Sequence, residues 1–347
     1  MSASHSLTLL HLYDKLSGLL AKLPGGLQKP ILHELQPIRD LFLEQRPPRL
    51  MLVGGSEVSV STVFAALGAK SIRAVRENTD GWIPYEYGNG NTIHILDART
   101  HITSLDIEKA LALNSPDLIL AMEQTMPDPE GWNTARNRML ACPAAIVGIS
   151  CSNDFLGHFS HLLKSDADLS AKTITTIELA DISAPEILCA ALPLPAQLEF
   201  ARFTNARKAQ ALIASSLLKS FGAICGIIAL QPIPLADLPI LLTLQSLMVG
   251  LIIHTTGRPP SKRLIVEFLG ALGLGAAAGF AFREVARVAV RIVPFWGNAV
   301  SGLVAGAGTY AIGRAAIAYF IDDSPLEETR RLFKKILRSG KNPPARM

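Results

Sequence analysis

Short apolar runs alternate with longer polar stretches over the first two hundred residues, and the chain then turns apolar almost throughout. Within residues 49–195 the runs are RLMLVGG, NTIHILDA, PDLILAME, AAIVGIS and TITTIEL, each rich in Ile, Leu or Val. Brief continuous apolar runs bounded by turn residues read as strands buried on both faces, and the polar stretches between them as crossover helices. The pattern predicts an α/β domain over 49–195 with a mostly parallel sheet. GWIPYEYGNGN (81–91) reads as a loop or hairpin feeding the second run. Ahead of it, Leu7, Leu10, Leu12, Leu16 and Leu19 form one stripe at near-helical spacing, and Ile31, Leu35, Ile38, Leu41 and Phe42 a second. Pro24-Gly25-Gly26 separates the stripes and Pro47-Pro48 ends the second. Residues 1–48 are therefore expected to be N-terminal amphipathic helices that pack against the next domain.

Residues 196–218 read as helix, with Ala, Leu and Arg at i, i+4 spacings. From Leu217 to His254 only Lys219 and Asp237 are charged, 264–282 holds only Glu267, and 293–321 only Arg314. The pattern predicts a hydrophobic, Gly/Ala-rich all-α domain over 196–322, then a basic amphipathic helix and tail over 323–347. A spanning helix needs about 20 apolar residues, and the candidate stretches 239–254 and 264–282 fall at or below that length. Gly275/Gly279 and Gly302/Gly306 are GxxxG pairs that let helices approach closely. Lys262, Arg263, Arg283 and Arg287 bracket the middle stretch as interfacial anchors would. Against spanning, Pro232, Pro234 and Pro239 interrupt the first stretch, and Gly/Ala-rich helices also build tightly packed soluble bundles. Membrane association, inserted or peripheral, and a buried soluble bundle both stand open, with the first preferred.

Charge sharpens this division. Residues 1–200 carry 15 Lys/Arg against 22 Asp/Glu, net −7, and residues 201–347 carry 18 against 7, net +11. The apolar half is thus the basic half, which suits an anionic lipid surface. Nucleic acid is not expected, because the positive charge flanks apolar runs and few aromatics accompany it. Apolar residues make up 49% of the chain and charged residues 18%, with mean hydropathy +0.30, more apolar than an ordinary cytosolic enzyme. Cys142, Cys151, Cys189 and Cys225 show no CxxC spacing and read as free thiols in a reducing compartment. The N-terminus lacks the basic region and cleavage site of a signal peptide. The expected location is the cytoplasmic side of the cell membrane, with the cytoplasm as alternative. His158 and His161 share a helix face without an acidic or Cys partner, so no metal is expected there. Ser150-Cys151-Ser152 has no base in view and reads as a loop, and Asp322-Asp323 reads as a helix stop or N-cap.

The stretch MLVGGSEVSVSTVFAALG (51–68) has the rhythm of a strand, a phosphate-binding loop and a helix. A P-loop, GxxxxGKS, gathers backbone N–H groups around phosphates, with Lys on the β- and γ-phosphates and Ser on Mg²⁺. With GWIPYEYGNGNTIHILDART, AAIVGISCSND and the proline-cornered, Gly-rich C-terminal helices, the chain resembles the Era/dynamin-like branch of P-loop GTPases, in bacterial members with a C-terminal hydrophobic helical domain of unknown function. The resemblance covers most of residues 49–321. It aligns Gly54 with the first Gly and Ser61 with the Mg²⁺ ligand, and Gly55 and Thr62 flank them. Ser59 replaces the second Gly and Val60 the Lys. Asp97 aligns with the DxxG Asp, Thr100 replaces its Gly, and Thr79 stands in the switch-threonine position. Ser150, Cys151, Ser152 and Asn153 fall where Asn-Lys-x-Asp would read guanine. Gly54, Gly55, Ser59, Val60, Ser61, Thr62 and Asp97 thus outline a vestigial phosphate/Mg site with no catalytic residue. Each lost charge-assisted hydrogen bond costs roughly 1.5–3 kcal/mol. Losing the Lys and the guanine-reading Asp then weakens nucleotide binding on the order of a hundred- to ten-thousand-fold.

What the resemblance implies is a non-catalytic pseudo-GTPase scaffold or adaptor at the membrane. It would bind GTP and Mg²⁺ at most weakly, use residues 217–338 for membrane lipid or a membrane protein, and dock a protein partner on its α/β domain. Two alternatives stand beside it. One is a nucleotide switch that borrows a cation from Lys70, Arg99 or a partner. The other is a soluble self-assembling protein, a homo-oligomer packed through its GxxxG helices.

Overall fold

The computed structural model describes residues 18, 25–69, 72–75, 81–87, 91–99, 107–229, 237–274 and 297–339. The first leucine stripe, Lys70, Thr79, Thr100, Pro232, Pro234, Gly275, Gly279, Arg283, Arg287 and the last eight residues lie outside these. The chain divides into two compact units, Glu44–Ala209, and Met1–Leu43 together with Gln210–Met347.

The first unit is α/β. Seven strands form one sheet in the order β2-β3-β4-β1-β5-β6-β7. They are β1 (Arg49–Val53), β2 (Ile72–Ala74), β3 (Ile83–Tyr87), β4 (Asn91–Asp97), β5 (Leu118–Glu123), β6 (Ala145–Ser150) and β7 (Thr173–Glu178). β4, β1, β5, β6 and β7 run parallel, and β2 and β3 add an antiparallel edge. All six residues of β5 are buried, which is why LILAME reads as an unbroken apolar run with its one charge at the end. In the stretch read as a loop or hairpin, β3 pairs antiparallel with β4, Tyr87 opposite Asn91. β2 carries no apolar signal, since two of its three residues are exposed.

Met51, Val53, Ile119 and Ala121 point to one face of the sheet. There they join Ala135 and Met139 of α4 (Pro129–Leu140) and Phe159 and Leu163 of α5 (Leu156–Ser165). Trp82 seats on that core, and its indole N–H donates to the Ala110 carbonyl at 3.0 Å, on α3 (Ile107–Leu113). On the other side Phe64, from α2 (Val60–Ala66), meets Phe203 edge to face at 5.3 Å between centroids. Short α6 (Ala167–Lys172) lies against β6, α7 (Ala184–Ala191) against β7, and α8 (Leu194–Phe203) against β4. The helix expected over 196–218 is two helices: Asn205 takes a left-handed φ of 50° and ends α8 before α9 (Arg207–Ala229) begins. Asn tolerates that conformation better than most residues.

Among the described residues the second unit is all-α. It holds α1 (Gly25–Phe42), most of α9, α10 (Asp237–Thr255), α11 (Lys262–Leu269), α12 (Gly297–Phe320) and α13 (Leu326–Ser339). α1 buries Ile31, Leu35, Ile38, Leu41 and Phe42. It belongs with the C-terminal helices and not with the sheet that follows it in sequence, and Phe42 approaches His254 of α10 at 6.0 Å between rings. α9 and α12 pack through glycine: a Cβ on Gly306 would stand 3.3 Å from the Gly222 carbonyl oxygen and 4.0 Å from Gly226. Gly222 and Gly226 are a GxxxG pair that the sequence reading passed over. Inside the bundle Gln245 donates to Thr309 at 3.1 Å. α12 stops at Asp323, left-handed with φ 53°, while the Ser324 N–H returns to the Ala318 carbonyl at 2.8 Å. The acid pair is therefore a helix stop. Among the described residues one helix, α9, is long and apolar enough to cross a membrane by length and composition, and half of its apolar window is buried.

Candidate functional site

β1 lies between β4 and β5, so the chain leaves β1 toward one side of the sheet and returns on the other. Ligand crevices in open α/β sheets form at such reversals, outside the carboxyl ends of the strands. Here three segments meet: the 54–59 loop after β1, Asp97–Arg99 after β4, and Glu123 with its following loop after β5.

Gly54 makes the first turn at φ +122°, where an added Cβ would stand 2.2 Å from the Met122 carbonyl oxygen. Only glycine fits that position. The loop is then tied to β5: the Gly55 N–H donates to Glu123 Oε1 at 2.9 Å and the Ser56 N–H to the Met122 carbonyl at 3.2 Å. The Val58 N–H turns back to Ser56 Oγ at 3.3 Å. Ser59 caps α2, its Oγ accepting from the Thr62 N–H at 3.1 Å, and the Ser61 and Thr62 hydroxyls gather on it at 2.9 and 2.8 Å. Ser59, Ser61 and Thr62 are exposed and Val60 is half-buried. Val60 therefore does not plug the loop.

Arg99 does. Its side chain is 4% exposed. Nε and Nη2 donate to the two Asp97 carboxylate oxygens at 2.8 and 2.6 Å. Nη1 donates to the Ser56 carbonyl at 2.9 Å and to the Val58 carbonyl. Four of the five guanidinium donors are thus committed. Behind it Arg138 of α4 donates to the Ala98 and Arg99 carbonyls, both at 2.8 Å. Burial holds the Arg138 pKa below the usual arginine range.

The polarity of the loop is the reverse of a phosphate nest. A nest points N–H groups at an anion. Here the carbonyls of Ser56 and Val58 converge on a cation, while the N–H groups of Gly55, Ser56 and Val58 are spent on Glu123, Met122 and Ser56 Oγ. Asp97, aligned with Mg²⁺ support, is bound to Arg99 through both oxygens. The residues present do not fit a Mg-nucleotide in this arrangement.

Glu123 is 3% exposed and lines a cleft of about 240 Å³ with Gly55, Thr125, Met126, Pro127, Asp128 and Gly131. That volume is below the roughly 300–1,000 Å³ of small-molecule sites. Burial pushes the Glu123 carboxyl up to about 7, the Gly55 N–H opposes this, and the charge of Asp128 adds to it. Cys151 follows β6 and contacts Ser56 Oγ through its sulfur at 3.3 Å, and burial pushes its thiol up. Ser150 is buried, with its Oγ on the Ser152 carbonyl at 2.5 Å, whereas Asn153 is exposed. Of the stretch aligned with guanine reading, only Cys151 is brought to the loop.

The sequence signals for these groups differ in kind. Arg99 stood out only as a cation to be borrowed by a nucleotide, Glu123 as the charged end of an apolar run, and Arg138 not at all. His158 and His161 are both exposed, and no group of three or more His, Cys, Asp or Glu side chains among the described residues is placed to hold a metal ion. Neither protein-family models nor curated proteins yield a match to this chain.

Proposed function

We propose that the chain is a non-catalytic scaffold built on an Era/dynamin-like GTPase plan, stationed at the cytoplasmic face of a membrane, with its phosphate loop closed by its own arginine. The observation that carries this reading is Arg99 seated on the Ser56 and Val58 carbonyls and on Asp97. A strand, a Gly54 turn and a capped α2 at the sheet reversal support the GTPase plan. A protein that keeps the plan but fills the site with a satisfied ion pair uses the fold for contact and not for phosphoryl transfer, which depends on positioned cations around the phosphates. The apolar, basic second half supplies the membrane side of the reading.

Calorimetric titration with GTP and ATP in the presence of Mg²⁺ tests the site. No heat at millimolar nucleotide is expected. A Kd tighter than about 100 μM, or GTP hydrolysis that disappears in Ser61→Ala or Asp97→Asn, overturns the reading. A second reading, a soluble self-packed bundle, draws on the in-chain contact of Gly306 with Gly222 and on the buried stripe of Met248, Ile252, Ala311 and Ala315. Fractionation separates the two: recovery in the low-salt soluble fraction favours the bundle, and recovery with membranes favours the scaffold.

A further inference from the structure

α13 turns its apolar side inward. Phe333 and Thr329 are buried, Leu326, Leu332 and Ile336 are half-buried, and the helix packs along α12. Arg330 is also drawn in, with Nε on the Ala271 carbonyl at 2.5 Å and Nη1 3.5 Å from Glu327. The apolar stripe is consequently occupied within the chain and is not a surface that dips into lipid. Glu327 and Glu328 are exposed in the first turn on that outer side; beyond that turn what remains outside is cationic, apart from Leu337. Arg331, Lys334, Lys335 and Arg338 are exposed, and none of them is in an ion pair among the described residues. At 100° per residue they fall within an arc of about 100° opposite the buried stripe, spread along roughly 10 Å of axis. Glu327 and Glu328 sit in the first turn, where they complement the helix dipole, and no acid follows them in the helix.

We infer that this face of α13 is a peripheral docking surface for anionic phospholipid headgroups, the partner chemistry of the membrane role proposed above, on which this inference rests. Four unpaired cations on a rigid helix, spaced over the width of a few headgroups, match a sheet of negative charge. Two features favour lipid over nucleic acid: no exposed aromatic residue stands between these cations, and the half of the chain that carries them is the apolar one. Because the apolar stripe is covered, attachment through this face is electrostatic and reversible by salt.

The test is co-sedimentation of the full chain with vesicles of phosphatidylcholine alone and with 30% phosphatidylserine, comparing the natural chain with Lys334→Gln/Lys335→Gln. Both lysines are exposed, and circular dichroism checks that the variant is folded. Each cation near an anionic surface contributes about fivefold to partition. The variant is therefore expected to bind serine-containing vesicles about 25-fold more weakly, and binding by both proteins to fall steeply between 0.05 and 0.5 M salt. Equal binding by both proteins, or equal binding to both vesicle types, overturns this inference and leaves the membrane reading standing. No binding to either vesicle overturns both. Lysine-dependent binding to an oligonucleotide in place of vesicles assigns the face to nucleic acid and also overturns it.

Discussion

Replacing Glu123 with Gln tests whether the loop–β5 junction carries a buried proton. The carboxyl is 3% exposed, accepts one N–H from Gly55, and is raised by burial from an ordinary value of 4.5 to about 7. Between those two values the folded chain holds a proton that the unfolded chain releases. The unfolded state then binds fewer protons, so stability falls as pH rises. Its contribution is fully present below about 4.5 and lost as pH passes through about 7. Each pH unit across that interval is worth about 1.4 kcal/mol, or about 3 kcal/mol in all. Gln is neutral throughout and keeps an acceptor for the Gly55 N–H, but its amide adds a donor that costs about 1 kcal/mol if unmatched. The variant is expected to be about 2 kcal/mol more stable than the natural chain at pH 8, and equal or slightly less stable at pH 4.5. Urea unfolding followed by tryptophan fluorescence at half-unit pH steps measures the difference. A difference between the two proteins that stays constant from pH 4.5 to 8 refutes the reasoning.

Four further outcomes follow from the same contacts. Arg99→Met leaves the half-buried Asp97 carboxylate without its cation and is expected to cost about 2–4 kcal/mol, while Asp97→Asn/Arg99→Met loses clearly less than the sum of the two single changes; a double-mutant cycle by urea unfolding reads the coupling. Arg99→Ala removes the guanidinium from between the Ser56 and Val58 carbonyls, and millimolar guanidinium is expected to raise its Tm selectively over that of the natural chain in a thermal-shift assay. Gly54→Ala puts a Cβ into the Met122 carbonyl at a positive φ and is expected to cost at least about 2 kcal/mol, seen as a lowered urea midpoint. Gly306→Leu forces α12 away from Gly222 and is expected to lower the Tm by several degrees, whereas Gly308→Ala, with open space at its Cβ, leaves it nearly unchanged.

Much of the sheet was legible because strands buried on both faces must be apolar along their whole length, as in Leu118–Met122. β2 was not, because an exposed edge strand three residues long needs no apolar pattern. The break at Asn205 was hidden for a related reason: Ala, Leu and Arg continue the helical spacing across it, and a single left-handed residue redirects the chain. At the site, the Asp97–Arg99 pair was in principle readable, since residues two apart on extended backbone share a side. The direction of the Ser56 and Val58 carbonyls was not, since it is set by backbone rotation and leaves no trace in residue type. The same stretch of sequence is compatible with a loop that offers N–H groups to a phosphate or carbonyls to a guanidinium. The partner of α1 was equally hidden, because an apolar stripe says that it is covered and not by what.

The division of the chain has a consequence for how it is made. The helical unit is assembled from Met1–Leu43 and from Gln210 onward, with the whole sheet unit between them. On a ribosome adding about 5–20 residues per second, α1 emerges roughly 10–30 s before the first helix it joins. Throughout that interval Phe42, buried in the finished protein, lacks the α10 side chain of His254 that it packs against. The sheet unit is contiguous and can close while synthesis continues, but the bundle must await its last segments. Chains halted after β7 but before the C-terminal helices would therefore carry all seven strands of the sheet and a leading helix still without the later members of its unit, a form exposed to aggregation and to chaperone capture.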